Sequence, residues 1–196
     1  RLRPNGADGL HAHSISAFKQ YQRKQAWVWE HQALTRARFI AGNQKVAEKF
    51  ELARKEILCQ KRDLTTLKQD IIQMRQKMLK AHPNTTDLFD IKHDRGGIID
   101  VEFIVQYLVL GHAKNHPQLT DNIGNIALLK CAAELNLIDA AQAKQVRAAY
   151  RQFRRLQHKL RLNGSTDLTG SASNTAQPND SPQSFARIEA DTLNEA

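Results

Sequence analysis

The stretch Phe89-Asp90-Ile91-Lys92-His93-Asp94-Arg95-Gly96-Gly97-Ile98 collects carboxylates, cations and two adjacent glycines just ahead of an apolar run. Two chemistries fit it. A Gly-Gly pair before a helix N-terminus can bring backbone N–H groups close to a phosphate, or it can simply turn the chain. The apolar run that follows, Ile99–Leu110, keeps Glu102 and Gln106 as its polar interior residues, four apart and so on one helical face. Asp100 can cap this helix, and Glu102 falls in its first turn, where the helix dipole favours an anion. Glu102 sits among Val101, Phe103, Ile104 and Val105. A partly buried carboxylate there requires a cation or donors, and Lys92, Arg95, Arg36 and Arg38 are the candidates.

A second cluster is Trp27-Val28-Trp29-Glu30-His31-Gln32-Ala33-Leu34-Thr35-Arg36-Ala37-Arg38. Two tryptophans so close together are costly to leave in water, so at least one is expected in the core. Glu30 and His31 suit a structural hydrogen bond better than acid–base work, because no second histidine or oriented nucleophile accompanies them. The guanidinium forks of Arg36 and Arg38 suit phosphate. His11-x-His13 and His112-x₃-His116 hint at a metal, but nothing supplies further ligands at a recognisable spacing. The residues therefore assign no metal ligand and no catalytic side chain. Lys144, Arg147, Arg151, Arg154, His158 and Arg161 step by three and four along one helix face. That stripe is either a solvated surface or a docking face for an acidic partner or a nucleic-acid backbone.

These groups need a scaffold, and the pattern supplies helices. The stripe Leu64, Leu67, Ile71, Met74, Met78 follows a possible Asp63 cap and stops at His82-Pro83. Val46, Phe50, Ala53 and Ile57 follow Asn43. Ile123, Ile126, Leu129, Ala133 and Leu135 mark a shorter helix. Val146, Ala149, Phe153, Leu156 and Leu160 follow Asp139, with Gln142 in capping-box position. No run alternates with period two. The expected fold class is all-α, an antiparallel helical bundle of about five or six helices with Ile99–Leu110 at its centre. Residues 1–15 read as a short extended N-terminal remnant of another domain, 16–163 as the helical domain, and 164–196 as a flexible polar tail. Ser181-Pro182 can start a short terminal helix there. The tail holds one base and five acids, and the rest of the chain holds 28 bases and 15 acids. No run is long and apolar enough to span a membrane. Two cysteines without metal-type spacing fit a reducing, cytoplasmic setting. Aromatic residues make up only 6%, which weakens a base-stacking platform.

RLRPNG (1–6), QAWVWEHQALTRAR (25–38) and FDIKHDRGGIIDVEFIVQYLV (89–109) resemble, in that order, the bifunctional glutamine synthetase adenylyltransferase/adenylyl-removing enzymes, and above all their C-terminal, adenylylating half. Uridylyltransferases of the nitrogen-regulatory PII protein carry related helical domains. The resemblance implies an enzyme that transfers AMP from ATP to a tyrosine of glutamine synthetase, and whose other half removes it by phosphorolysis, under the control of glutamine and PII. It implies a nucleotidyltransferase head whose aspartates hold Mg²⁺ and the ATP phosphates. The chain begins at Arg1, just past the last of those aspartates, so residues 1–196 alone are expected to hold neither Mg²⁺ nor ATP tightly and to transfer no AMP. Carried over position by position, Arg1, Arg3, Arg36, Arg38, Lys92, Gly96 and Gly97 are candidates for the nucleotide cleft. Asp100 and Glu102 support the motif, and Lys144, Arg147, Arg151, Arg154 and Arg161 are docking candidates. The expected partners are glutamine synthetase and PII. A basic helical module that binds nucleic acid, or one that serves only as a docking scaffold, is the alternative.

Overall fold

The computed structural model describes residues 12–162. The expectations for Arg1, Arg3, the RLRPNG turn, the tail and its terminal helix lie outside the described residues. Among the described residues the fold is all-α, with seven α-helices and one 3₁₀ turn: α1 Ile15–Lys24, α2 Val28–Leu34, α3 Gln44–Leu58, α4 Leu64–Ala81, α5 Ile98–His112, the 3₁₀ turn Pro117–Thr120, α6 Asn125–Glu134 and α7 Ala140–Leu162. The count exceeds the expected five or six. The additions are α1, which is rich in polar residues, and α2, which at seven residues is too short to show a stripe. Among the described residues no helix is long and apolar enough to cross a membrane.

The helix starts follow from their caps. Ser14 Oγ accepts from the Ala17 N–H at 3.2 Å, Asn43 Oδ1 from Lys45 at 2.9 Å, Asp63 Oδ1 from Thr66 at 2.8 Å and Asp139 Oδ1 from Gln142 at 2.8 Å. Each bond satisfies a donor that the first helical turn leaves orphaned. Three of these four residues are the caps that the sequence nominates. At the other end of α4, Pro83 follows His82, and the helix closes at Ala81.

The chain forms two compact units. One comprises residues 12–74 and 105–124, the other 75–104 and 125–162, so α4 and α5 contribute to both. In the first unit α3 packs against α1 and α2, with Phe18 and Phe50 rings 5.8 Å apart and Leu34, Ile57 and Leu58 fully buried. Gly111 lets α5 approach α4 closely, since a Cβ there would lie 2.9 Å from Leu64 Cδ2. In the second unit α6 packs against α7, and Leu129, Ala132, Ala143 and Ala149 are buried. Along α5, Val101, Ile104, Val105, Leu108, Val109 and Leu110 are all buried, as its all-round apolar pattern requires.

The expectation that at least one tryptophan lies in the core is not met. Trp27 is 70% exposed and Trp29 42% exposed. The reason is local: α2 turns Glu30, His31, Gln32 and Leu34 inward, and Trp27 is the residue that precedes its first turn.

Candidate functional site

In the second unit a polar network runs through the segment 82–100. Asp90 closes an Asx turn: its Oδ1 accepts from the N–H groups of Lys92 at 2.8 Å and His93 at 3.2 Å, and its Oδ2 lies 2.8 Å from His93 Nδ1. Burial pushes the Asp90 carboxyl up, but these bonds and the adjacent imidazole outweigh it and hold the group below its usual range. The His93 ring stacks on His82, with centroids 4.7 Å apart. Asp94 Oδ2 accepts from the Asp90 N–H at 2.8 Å and from Asn84 Nδ2 at 2.7 Å. The two ends of the turn are thereby stitched together.

Arg75 of α4 fastens this turn to α5. Its Nε donates to Asp100 Oδ1, and its Nη2 donates to the carbonyls of His93 at 2.8 Å and Asp94 at 3.2 Å. Asp100 Oδ2 accepts in turn from the Gly96 N–H at 2.6 Å. Asp100 therefore acts from the first turn of α5 and reaches back to the loop, rather than standing at the N-cap position.

This arrangement decides between the two readings of Gly96-Gly97. The Gly97 N–H donates to Asp94 O at 3.1 Å, that of Ile98 to Ile91 O at 2.8 Å and that of Ile99 to Lys92 O at 3.3 Å. With Gly96 held by Asp100, every N–H at the helix entrance has a partner within the chain, so the pair acts as a turn and not as a backbone cradle for phosphate. The turn needs glycine at both positions. Gly96 has φ +84°, which L side chains rarely adopt. A Cβ on Gly97 would lie 2.9 Å from Ile91 O and 3.0 Å from Asp94 O.

Glu102 is half-buried, and the Tyr150 hydroxyl donates to its Oε1 at 3.4 Å while accepting from Asn125 Nδ2 at 2.9 Å. A buried carboxylate–guanidinium pair on this helix joins Asp100 to Arg75, a cation the sequence candidates did not include. The signal was present: Arg75 falls in register between Ile71 and Met78, a cation on an apolar stripe.

The first unit holds the other cluster. Glu30 is buried and accepts from the Trp27 N–H at 2.9 Å and from the Tyr21 hydroxyl at 2.9 Å, which is the structural role its surroundings suggest. Arg62 donates to the carbonyls of Ile57, Leu58, Gln60 and Leu110 and to His31 Nδ1 at 3.3 Å. A guanidinium only donates, so Nδ1 must accept, and Nε2–H of a neutral imidazole donates to Gln22 O at 2.9 Å. Burial, together with the Arg62 charge, pushes the His31 pKa down. Arg54 is 2% exposed and donates to the carbonyls of Leu34 at 3.1 Å and Thr35 at 2.8 Å at the end of α2. Arg36 and Arg38 lie exposed in the same unit, beyond α2, and the Arg36 carbonyl accepts from Asn122 Nδ2 at 3.2 Å. Lys92, Gly96, Gly97, Asp100 and Glu102 belong to the second unit. On α7 of that unit Lys144, Arg151, Arg154, His158 and Arg161 are exposed and Arg147 is half-buried.

Among the described residues no group of three or more His, Cys, Asp or Glu is placed to hold a metal ion.

Residues 1–53 match the family model described as glutamate-ammonia ligase adenylyltransferase, and residues 65–167 match the model described as GlnD PII-uridylyltransferase. A Nitrosomonas eutropha protein named bifunctional glutamine synthetase adenylyltransferase/adenylyl-removing enzyme is 62% identical over 196 residues, all of this chain and 21% of its own length. The chain belongs to that enzyme family. A Nitrosomonas europaea protein of the same name is 61% identical over the same extent, and one from Chromobacterium violaceum is 60% identical over 163 residues, 83% of this chain. The chain spans about a fifth of the length of the curated relatives it matches. Within the family's sequence the two polar clusters divide cleanly. Glu30 and His31 fall in the segment matched by the first model, whereas Arg75, Asp100 and the glycine turn fall in the segment matched by the second.

Proposed function

We propose that this chain is the helical part of an enzyme that transfers AMP from ATP to a tyrosine of glutamine synthetase, and that the intact enzyme also removes AMP by phosphorolysis and answers to PII in the cytoplasm. The observation that carries the reading is the end-to-end alignment, 62% identical over all 196 residues, with a protein named for that activity. The geometry supports it in one respect. The motif that drew attention in the sequence, with Lys92, Gly96, Gly97, Asp100 and Glu102, is a pre-organised turn fixed by Arg75 and Asp100. A turn held this way presents Lys92 at a constant position, which is what an enzyme requires of a cation that meets a triphosphate. Arg36 and Arg38, and Arg1 and Arg3, are the further phosphate-facing candidates on the same reading. ATP and Mg²⁺ chemistry belongs to carboxylates other than the described ones, and this chain contributes positioning and recognition of the protein substrate.

The test is binding. The purified chain is passed over immobilised glutamine synthetase, with duplex DNA as the comparison surface. Saturable binding to glutamine synthetase that exceeds binding to DNA at 150 mM salt is expected. Preference for DNA, with affinity falling steeply as salt rises, would instead identify a basic nucleic-acid module.

A further inference from the structure

Helix α7, Ala140–Leu162, carries seven Lys and Arg residues and one His, and no Asp or Glu. Placed at 100° per residue, Lys144, Arg147, Arg151, Arg154, Arg155, His158, Lys159 and Arg161 occupy an arc of about 160°. Val146, Ala149, Phe153, Leu156 and Leu160 occupy the opposite side. The structure agrees with this division. Ala149 and Tyr150 are buried, and Phe153 lies with its ring 5.9 Å from that of Phe89, while Lys144, Arg151, Arg154, Arg155, Lys159 and Arg161 are exposed. At 1.5 Å per residue the basic face, Lys144 to Arg161, is about 26 Å long.

An ordinary solvated helix face mixes its signs, because i,i+4 pairs of opposite charge stabilise it and like charges at that spacing oppose it. On α6 the described surface follows that rule, with Lys130 3.4 Å from Glu134 four residues on, and on α1 the like charges of Lys19 and Arg23 are met by Glu56 of α3, 2.6 Å from each. The α7 face instead places like charges at Lys144, Arg147, Arg151 and Arg154, and again at Arg151, Arg155 and Lys159, in three- and four-residue steps. Such a face tolerates its own repulsion in isolation and is relieved when a negative surface covers it.

We infer that the exposed basic face of α7 is a docking surface for an acidic face of a partner protein. The inference rests on the functional reading above, since that reading makes the macromolecular substrate a protein. The face itself favours protein over single-stranded nucleic acid: the aromatic residues of α7, Tyr150 and Phe153, lie outside the basic arc in buried or half-buried positions and offer no stacking platform. Long-range steering by such a face acts mainly on the association rate and is screened by salt.

The experiment measures association of the full 196-residue chain with purified glutamine synthetase by biolayer interferometry from 50 to 300 mM salt, with a 20-base-pair DNA duplex in a parallel arm. Three variants are compared: K144E/R151E/R155E, the neutral K144Q/R151Q/R155Q, and the charge-retaining R151K/R155K. These are exposed side chains, and circular dichroism verifies that each variant keeps its helix content. The expected result is a loss of about tenfold or more in affinity for the reversal variant at 100 mM salt, mostly in the association rate, a smaller loss for the glutamine variant and none for the lysine variant. Native binding that the reversal leaves unchanged overturns the docking surface while leaving the functional reading intact. Absence of native binding to glutamine synthetase overturns both. Tighter, reversal-sensitive binding to the duplex than to glutamine synthetase overturns the protein partner in favour of a phosphodiester backbone.

Discussion

Replacing Asp100 by alanine tests whether the Arg75–Asp100 clasp organises the motif loop. The two side chains are 11% and 12% exposed, so the substitution leaves a nearly buried guanidinium facing an empty site. Loss of one member of a buried ion pair costs about 3–5 kcal/mol. Here Arg75 keeps the carbonyls of His93 and Asp94, which places the loss from that source near the lower bound. The Gly96 N–H also loses its acceptor, an orphaned donor worth about 1–3 kcal/mol. The two losses share one environment and overlap, so the expected total is about 3–4 kcal/mol. Arg75→Met should cost about as much, because it strands the carboxylate. The double variant should then cost about 2 kcal/mol less than the sum, since neither charge is left unpaired. Asp100→Asn, which keeps an acceptor for only one of the two donors and sets its NH₂ against the other, should cost about 2–3 kcal/mol. Urea unfolding followed by circular dichroism at 222 nm measures all four. Single-variant losses below about 1 kcal/mol, or strict additivity of the pair, would refute the clasp.

Further outcomes follow from the same geometry. Gly97→Ala, which brings a methyl within 2.9 Å of Ile91 O, should lower stability by about 1–3 kcal/mol, read as a drop in melting temperature. Arg54→Met should cost about 2–4 kcal/mol in urea unfolding by leaving the Leu34 and Thr35 carbonyls without their buried donor. The His31 pKa is depressed in the folded chain from 6.5, so the unfolded chain takes up the proton first. The contribution of His31 is therefore complete above about pH 6.5 and is lost as pH falls through its lower folded pKa. Urea titrations between pH 8 and 5 should show stability falling on acidification, and His31→Gln should reduce that slope.

Much of the scaffold was legible because helices announce themselves by period and cap. The α4 stripe, the Asn43, Asp63 and Asp139 caps, the Pro83 stop and the all-round apolar α5 all need only local information. The polar interior was harder to read. Arg54, Arg62 and Arg75 satisfy backbone carbonyls 2 to 48 residues away, and no local pattern records the distant partners. Their positions on or beside apolar stripes were the one available sign. The Gly-Gly motif was ambiguous for the same reason: whether its N–H groups face a ligand or the chain depends on where Asp100, Asp94 and Ile91 come to rest. The tryptophans show the limit of burial arguments. Their size favours the core, but α2 spends its short inward face on Glu30, His31, Gln32 and Leu34, and none of that face remains for either indole.

The most direct test of the central claim is functional substitution in a relative. The chain aligns over its whole length with 21% of the Nitrosomonas eutropha enzyme, so that segment can be replaced by residues 1–196. The chimera is incubated with labelled ATP, Mg²⁺ and unmodified glutamine synthetase, and adenylyl-tyrosine is counted. The account predicts transfer at a rate comparable with that of the unaltered enzyme. A chimera that folds with native helix content and melting temperature yet leaves glutamine synthetase unlabelled would contradict it.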